Sequence, residues 1–194
     1  MNKLEEIRKI EILAKKCKRC ELYKYRKNVV FGLGDVNSKI LFIGESPGKK
    51  EDETGIPFSG KAGKILEKLF NSILLKRQDV YITSVLKCKP PKNRNPKKNE
   101  IEKCSLYLDK QIEIINPKII VCLGRISLKY IFKKYFNKKN PSITNLHGKI
   151  IETNGKKILP IFHPAFALYN PKKFEIIKND FIKLKGLICQ IFIF

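Results

Sequence analysis

The chain has 194 residues, is 43% hydrophobic, and carries a formal charge of +23 from 41 Lys and Arg against 18 Asp and Glu. That length suits one domain with a sizeable core, and the apolar fraction excludes a globally disordered chain. No apolar run approaches the roughly 18 residues of a membrane-spanning helix, and the opening MNKLEEIRKIEILAKKC lacks the apolar core of a signal peptide, so a soluble cytoplasmic protein is expected. So large a positive charge attracts polyanions, and nucleic acid is the expected partner; charge alone does not choose DNA or RNA.

In chain order, residues 3–16 place Leu4, Ile7, Ile10, Leu13 and Ala14 at helical spacing, leading into Cys17-Lys-Arg-Cys20. KILFI at 39–43 reads as a buried strand ending at Gly44. A helix follows over 61–75, with Ile65, Leu66, Leu69, Phe70, Ile73 and Leu74 on one face. DVYITSVL at 79–86 is a β-branched strand, and KCKPPKNRNPKKNE after it is a loop. The pattern then gives a helix over 99–115, broken at Asn116-Pro117, a strand over 118–123 closed by Gly124, a helix over 125–136 and a polar loop over 137–149. Asn154-Gly155 marks a hairpin between 149–152 and 157–162, and 171–190 is helical. Continuous apolar strands separated by helices predict one α/β domain over 1–194, its parallel sheet covered on both faces. Ligands of such sheets bind at the carboxyl ends of the strands, here Gly44 onward, Ser84–Pro91, Gly124 and His163 onward.

Six cysteines are present. Without a secretion signal, disulfides are disfavoured. Cys17 and Cys20 form a C-x-x-C pair, and Cys88 and Cys104 flank the Pro/Lys loop; four such thiolates suit either a [4Fe–4S] cluster or a zinc ion. Cys122 and Cys189 lie in apolar segments and read as small buried hydrophobes.

The stretch GESPGKKEDETGIPFSGKAG at 44–63 holds five glycines, four carboxylates and one aromatic at a strand's carboxyl end. Glycines let backbone N–H groups approach a ligand, Pro57-Phe58 offers a ring in a stiff frame for stacking on a flat base, and Glu45, Glu51, Asp52 and Glu53 can hold a water. His163, one of two histidines, sits at a strand end before a proline, where it can stabilise a developing anion. His147, in a polar loop, reads as a surface residue.

From Cys17 to about Tyr169 the sequence resembles the family 4 uracil-DNA glycosylases, the iron–sulfur type of archaea and thermophilic bacteria. The motifs are the 44–63 stretch, YITSVLKCKPPKNRNP at 81–96 and HPAFAL at 163–168, with cysteines at 17, 20, 88 and 104. The resemblance implies a four-stranded parallel sheet between helices and hydrolytic excision of uracil from DNA, with the nucleotide flipped out of the stack. It implies a [4Fe–4S] cluster on Cys17, Cys20, Cys88 and Cys104, a stacking role for Phe58, a pocket lined by Gly44, Glu45 and Ser46, and a His163 that steadies charge on uracil O2. Glu45 is the first choice for holding the attacking water and Glu51 the second. A monomer working on nucleoid DNA is expected.

Three positions depart from the family pattern. Ser84 stands where asparagine is usual, and a serine has a shorter reach and one donor hydrogen. Ala167 precedes Leu168, leaving Leu168 as the residue that wedges into the vacated base space, and Tyr169 replaces a common basic residue. Excision of another deaminated base, hypoxanthine or xanthine, and a non-catalytic DNA-binding relative are the alternatives that Ser84 opens. The basic run Lys87, Lys89, Lys92, Arg94, Lys97 and Lys98 is expected on DNA phosphate.

Overall fold

The computed structural model describes residues 2–137 and 140–192; Met1, residues 138–139 of the expected 137–149 loop, and 193–194 lie outside the described residues. Helix α1 spans Lys3–Lys15 and is capped by Asn2, whose side chain accepts from the Glu5 N–H. Strand β1 is Leu33–Gly34 and β2 is Ile40–Gly44, followed by α2 (Lys49–Thr54) and α3 (Lys61–Ser72). Then come β3 (Tyr81–Ser84), α4 (Lys98–Ile115), β4 (Ile119–Leu123), α5 (Arg125–Phe136) and α6 (Ile143–Leu146). The hairpin β5 (Ile151–Thr153) and β6 (Lys156–Ile161) precedes α7 (Pro171–Phe192).

The strands form one six-stranded sheet in the order β1-β3-β2-β4-β6-β5. Its centre is the expected set of four parallel strands. At the edges β5 forms the expected hairpin with β6, and the expectation is corrected by β1, which adds an antiparallel strand beside β3. β1 has two residues, both exposed, and so leaves no period-two signal. Helix α2 leaves no periodic signal either, because its sequence KKEDET has no apolar face; Glu51 and a left-handed Gly55 define its ends instead.

Side chains alternate across the buried strands. Leu41 and Ile43 of β2 pack with Ile7, Leu108, Ile112, Leu128 and Ile131 from α1, α4 and α5. Ile40 and Phe42 pack on the other face with Leu66, Phe70, Phe181 and Leu184 from α3 and α7. Phe42 meets Phe70 edge-on at 5.0 Å between ring centres and Phe181 at 6.1 Å. Emptying such a site (Phe42→Ala) costs about 3–5 kcal/mol. With both faces sealed, the carboxyl ends of β3, β2, β4 and β6 open side by side at one end of the sheet.

Candidate active site and cysteine pocket

A cavity of about 540 Å³ lies at that end, lined among others by Glu45, Ser46, Phe58, Ser84, His163 and Leu168. Gly44 and Ser84 are register partners at the ends of β2 and β3. Gly44 itself is buried beside the cavity, and a Cβ on it would lie 2.9 Å from the Phe58 ring and 2.9 Å from Ser84 Oγ, so only glycine lets those two pack there. Gly124, after β4, has φ +98°, and a Cβ there would come within 3.0 Å of His163 Cβ. Two glycines at neighbouring strand ends thus admit Phe58 and His163 to one place. Their rings lie 5.7 Å apart at 27°.

Phe58 is buried, yet its backbone is left-handed at φ 52°. For a bulky residue that conformation costs about 1–3 kcal/mol and persists only where the surroundings impose it. The loop that carries it is closed by Glu51, whose two carboxylate oxygens accept from the N–H groups of Gly48 (3.1 Å) and Gly60 (3.0 Å). The second choice for the water-holding group therefore does something else, since Glu51 fastens the two ends of the loop. Asp52 is buried and accepts from the N–H groups of Lys27 (3.0 Å) and Asn28 (3.4 Å), while Asn28 Nδ2 donates to the Asp52 carbonyl. Glu53 is exposed, 3.7 Å from Lys50 Nζ. Of the four carboxylates in the stretch, Glu45 alone faces the cavity with no hydrogen-bond partner for its side chain among the described residues. Burial pushes its pKa up, and the charge of Arg125 at the start of α5 opposes that shift.

His163 Nδ1 accepts the N–H of Ala165 at 3.2 Å. A nitrogen that accepts carries no proton, so the neutral ring bears its hydrogen on Nε2. Burial pushes the imidazole pKa down to about 4, which keeps the ring neutral at ordinary pH. Leu168 is half-buried at the cavity wall, and Tyr169 beside it is 86% exposed. His147 is no free surface residue: its Nδ1 is 2.9 Å from Oδ2 of the buried Asp180, and its ring packs 4.5 Å from that of Phe162.

The basic run divides. Lys92 is exposed. Arg94 also lines the cavity, but its guanidinium forks onto the buried Glu100 carboxylate at 2.9 and 2.5 Å, which holds the Glu100 pKa down. Lys87 corrects the expectation of a phosphate contact. It is 1% exposed, and its Nζ donates to Thr83 Oγ1 (2.6 Å), the Ser84 carbonyl (2.7 Å) and Gln111 Oε1 (2.7 Å). Burial pushes its pKa down to about 7. Its acceptors come from β3 and α4, a buried network that composition cannot announce.

Cys17, Cys20, Cys88 and Cys104 line a second, small cavity on the far side of Lys87. The Lys87 N–H donates to Cys104 Sγ and Arg26 Nη1 to Cys88 Sγ, each at 3.3 Å. Burial raises the thiol pKa of Cys20, Cys88 and Cys104, the last to about 12. Four thiols, two buried and two half-buried, ringed by Arg26, Arg19 and Lys103 fit a centre that displaces their protons and leaves negative charge behind. Among the described residues, no group of three His, Cys, Asp or Glu forms a site for a single metal ion. Cys122 is buried as expected, whereas Cys189 is exposed on α7, contrary to its reading as a core residue.

A family model described as the uracil DNA glycosylase superfamily matches residues 31–185. A type-4 uracil-DNA glycosylase of Saccharolobus solfataricus is 51% identical over 88% of this chain and 81% of its own. Those of Sulfurisphaera tokodaii and Archaeoglobus fulgidus are 47% and 46% identical, over 96% and 89% of this chain and 86% and 88% of theirs. A model match across residues 31–185 and relatives of this coverage place the motif residues in a known lineage: the chain belongs to the uracil DNA glycosylase superfamily.

Proposed function

We propose that this protein excises uracil from DNA by hydrolysing the N-glycosidic bond, leaving an abasic site. The observation that carries the reading is the stacked Phe58 and His163 rings at a cavity lined also by Ser84 and Glu45, with the bare backbone of Gly44 packed against Phe58 and Ser84. A base inside a duplex cannot reach such a cavity, so the nucleotide must be flipped out. Phe58 then stacks on its face, and Leu168 stands at the rim to fill the gap left in the duplex.

Cleavage builds negative charge on the leaving base and positive charge on the sugar. The Nε2–H of neutral His163 is free to donate to the base oxygen that takes the negative charge. A neutral imidazole polarises that oxygen without surrendering its proton. Glu45 holds the attacking water, and its carboxylate form favours the cationic sugar. Ser46 and Ser84 contact the rest of the base, and Lys92 meets phosphate.

Cys17, Cys20, Cys88 and Cys104 would hold a [4Fe–4S] cluster, with zinc the less favoured occupant. Bound there, the cluster would supply a cross-link between the chain after α1, the exit of β3 and helix α4, since the hydrolysis needs no electron transfer. Iron and sulfide analysis of freshly purified protein separates the two occupants. The protein acts on nucleoid DNA as a monomer in this proposal; among the described residues no helix is long and apolar enough to cross a membrane.

Ser84 supports a second reading. Its hydroxyl has no protein partner among the described residues and can serve a base other than uracil, such as hypoxanthine or xanthine. Oligonucleotides carrying a single uracil, hypoxanthine, xanthine or cytosine, incubated anaerobically with the protein and then treated with alkali, test both. Cleavage at uracil is expected. Cleavage only at another base moves the specificity, and no cleavage by protein that still binds the DNA overturns the enzyme.

A further inference from the structure

Phe58 presents a question that the cavity itself does not answer. A buried aromatic with a left-handed backbone relaxes by rotating its peptides unless something holds their carbonyls. The holder is Arg77, in the short turn Arg77–Asp79 before β3. Its Nη2 donates to the Pro57 carbonyl, and its Nη1 donates both to the Phe58 carbonyl at 3.3 Å and to Glu67 Oε1 of α3 at 2.7 Å. One planar fork therefore fixes two successive peptides and is itself fixed by a carboxylate. Across from it, the Phe58 carbonyl lies so close to α3 that any Cβ on Gly63 would overlap it. Arg77 is not part of the cavity wall.

We infer that Arg77 is a positioning residue for base recognition: acting from behind the pocket, it locks the Pro57–Phe58 backbone and so holds the Phe58 ring beside His163 as a stacking platform. The inference rests on the proposed excision of a flipped base for its meaning, and on geometry alone for its mechanics. A lysine cannot replace it, because one ammonium does not span two carbonyls and a carboxylate in a plane. The Arg77–Glu67 ion pair taken as a mere surface bridge contributes little by itself. The consequence lies in the two carbonyls.

The chain has no tryptophan, so Phe58→Trp places a single reporter at the platform. In that background Arg77→Ala is expected to shift the emission to the red and raise acrylamide quenching. Arg77→Lys should do so nearly as far, and Glu67→Ala much less. Unchanged emission in Arg77→Ala would overturn the inference. In excision assays with uracil-containing DNA, Arg77→Ala is expected to lower kcat/KM about ten- to a hundredfold with Phe58 present, the fold-change that release of such strain implies. It should cause no further loss in a Phe58→Ala background. Equal losses in both backgrounds would mean that Arg77 serves general stability and not the ring. Should Arg77→Ala not fold, Arg77→Lys carries both comparisons. A parent protein that excises no base sinks the proposed function, while the fluorescence result still decides whether Arg77 holds the ring.

Discussion

Gly44 and Ser84 stand opposite each other at the ends of two neighbouring parallel strands, and a single methyl group on Gly44 would come within 2.9 Å of the Ser84 hydroxyl. In the proposed function Ser84 meets the edge of the base. Ser84→Asn puts an amide there that both donates and accepts, as uracil requires of a partner that tells it from cytosine. We expect uracil excision to rise by about tenfold, the worth of one good hydrogen bond, with a sharper preference over other bases. Competition assays on mixed oligonucleotides check this, and an unchanged rate and preference would remove Ser84 from the recognition scheme. Gly44→Ala should instead abolish base binding while the sheet still folds.

If Glu45 holds the attacking water as proposed, it is expected to set the acid limb of the pH profile. Its folded pKa lies above that of a free carboxylate, so activity should fall at a higher pH than an exposed glutamate would give. His163, with a pKa of about 4, stays neutral through that range and does not contribute the limb. The stability effect has the opposite sense: the folded state holds the proton more tightly than the unfolded one, so stability is lost as pH rises through the raised pKa. Glu45→Gln is therefore expected to raise Tm at neutral pH while losing most activity. Thermal melts at about pH 3, below the range of a free carboxylate, and at about pH 8 should show the gain only at the higher pH. A Tm that falls in Glu45→Gln at pH 8 would contradict a buried charge awaiting a cationic partner.

Lys92 and Arg94 lie two residues apart and should behave differently. Lys92→Ala is expected to weaken binding to all DNA sequences alike and to reduce the salt slope by about 1. Arg94→Ala strips the partner from Glu100, which is 3% exposed, and should chiefly lower Tm by several degrees. Salt-titrated binding and thermal melts on the same proteins separate the two outcomes; a large change of salt slope in Arg94→Ala with unchanged Tm would reverse the assignment.

On the proposed cluster, Cys88→Ser and Cys104→Ser should lose iron and much of their stability, because each replaces a buried thiolate ligand by a hydroxyl. Cys189→Ser, exposed on α7, should change neither. Metal analysis and circular dichroism of the three variants decide this, and full iron content in Cys104→Ser would exclude it as a ligand.

The parallel sheet was legible because ILFIG, YITS, IIVCL and KKILPI are apolar runs that only a strand covered on both faces tolerates. The placing of Phe58, Ser84 and His163 at one end followed from that topology. Hidden from the sequence were residues whose work lies in partners far along the chain. Lys87 looks like its basic neighbours, but its three acceptors lie on β3 and α4. Arg77 is one more surface cation until its fork is seen on Pro57 and Phe58. Glu51 and Asp52 read as acids for chemistry, and both accept backbone N–H groups instead.

The strip of chain from Arg26 to Val30 runs between the two cavities. Arg26 leans on Cys88, the Lys27 and Asn28 amides hold Asp52 of the loop around the larger cavity, and the Val30 N–H donates to the Lys87 carbonyl. It works like a tie-beam, pinned to the thiol pocket at one end and to the wall of the larger cavity at the other. Oxidative damage to the cysteines would therefore be felt first in the segment that the strip holds, from Asp52 to Gly55, which would become open to proteases while the sheet beneath, packed from both sides, stays whole.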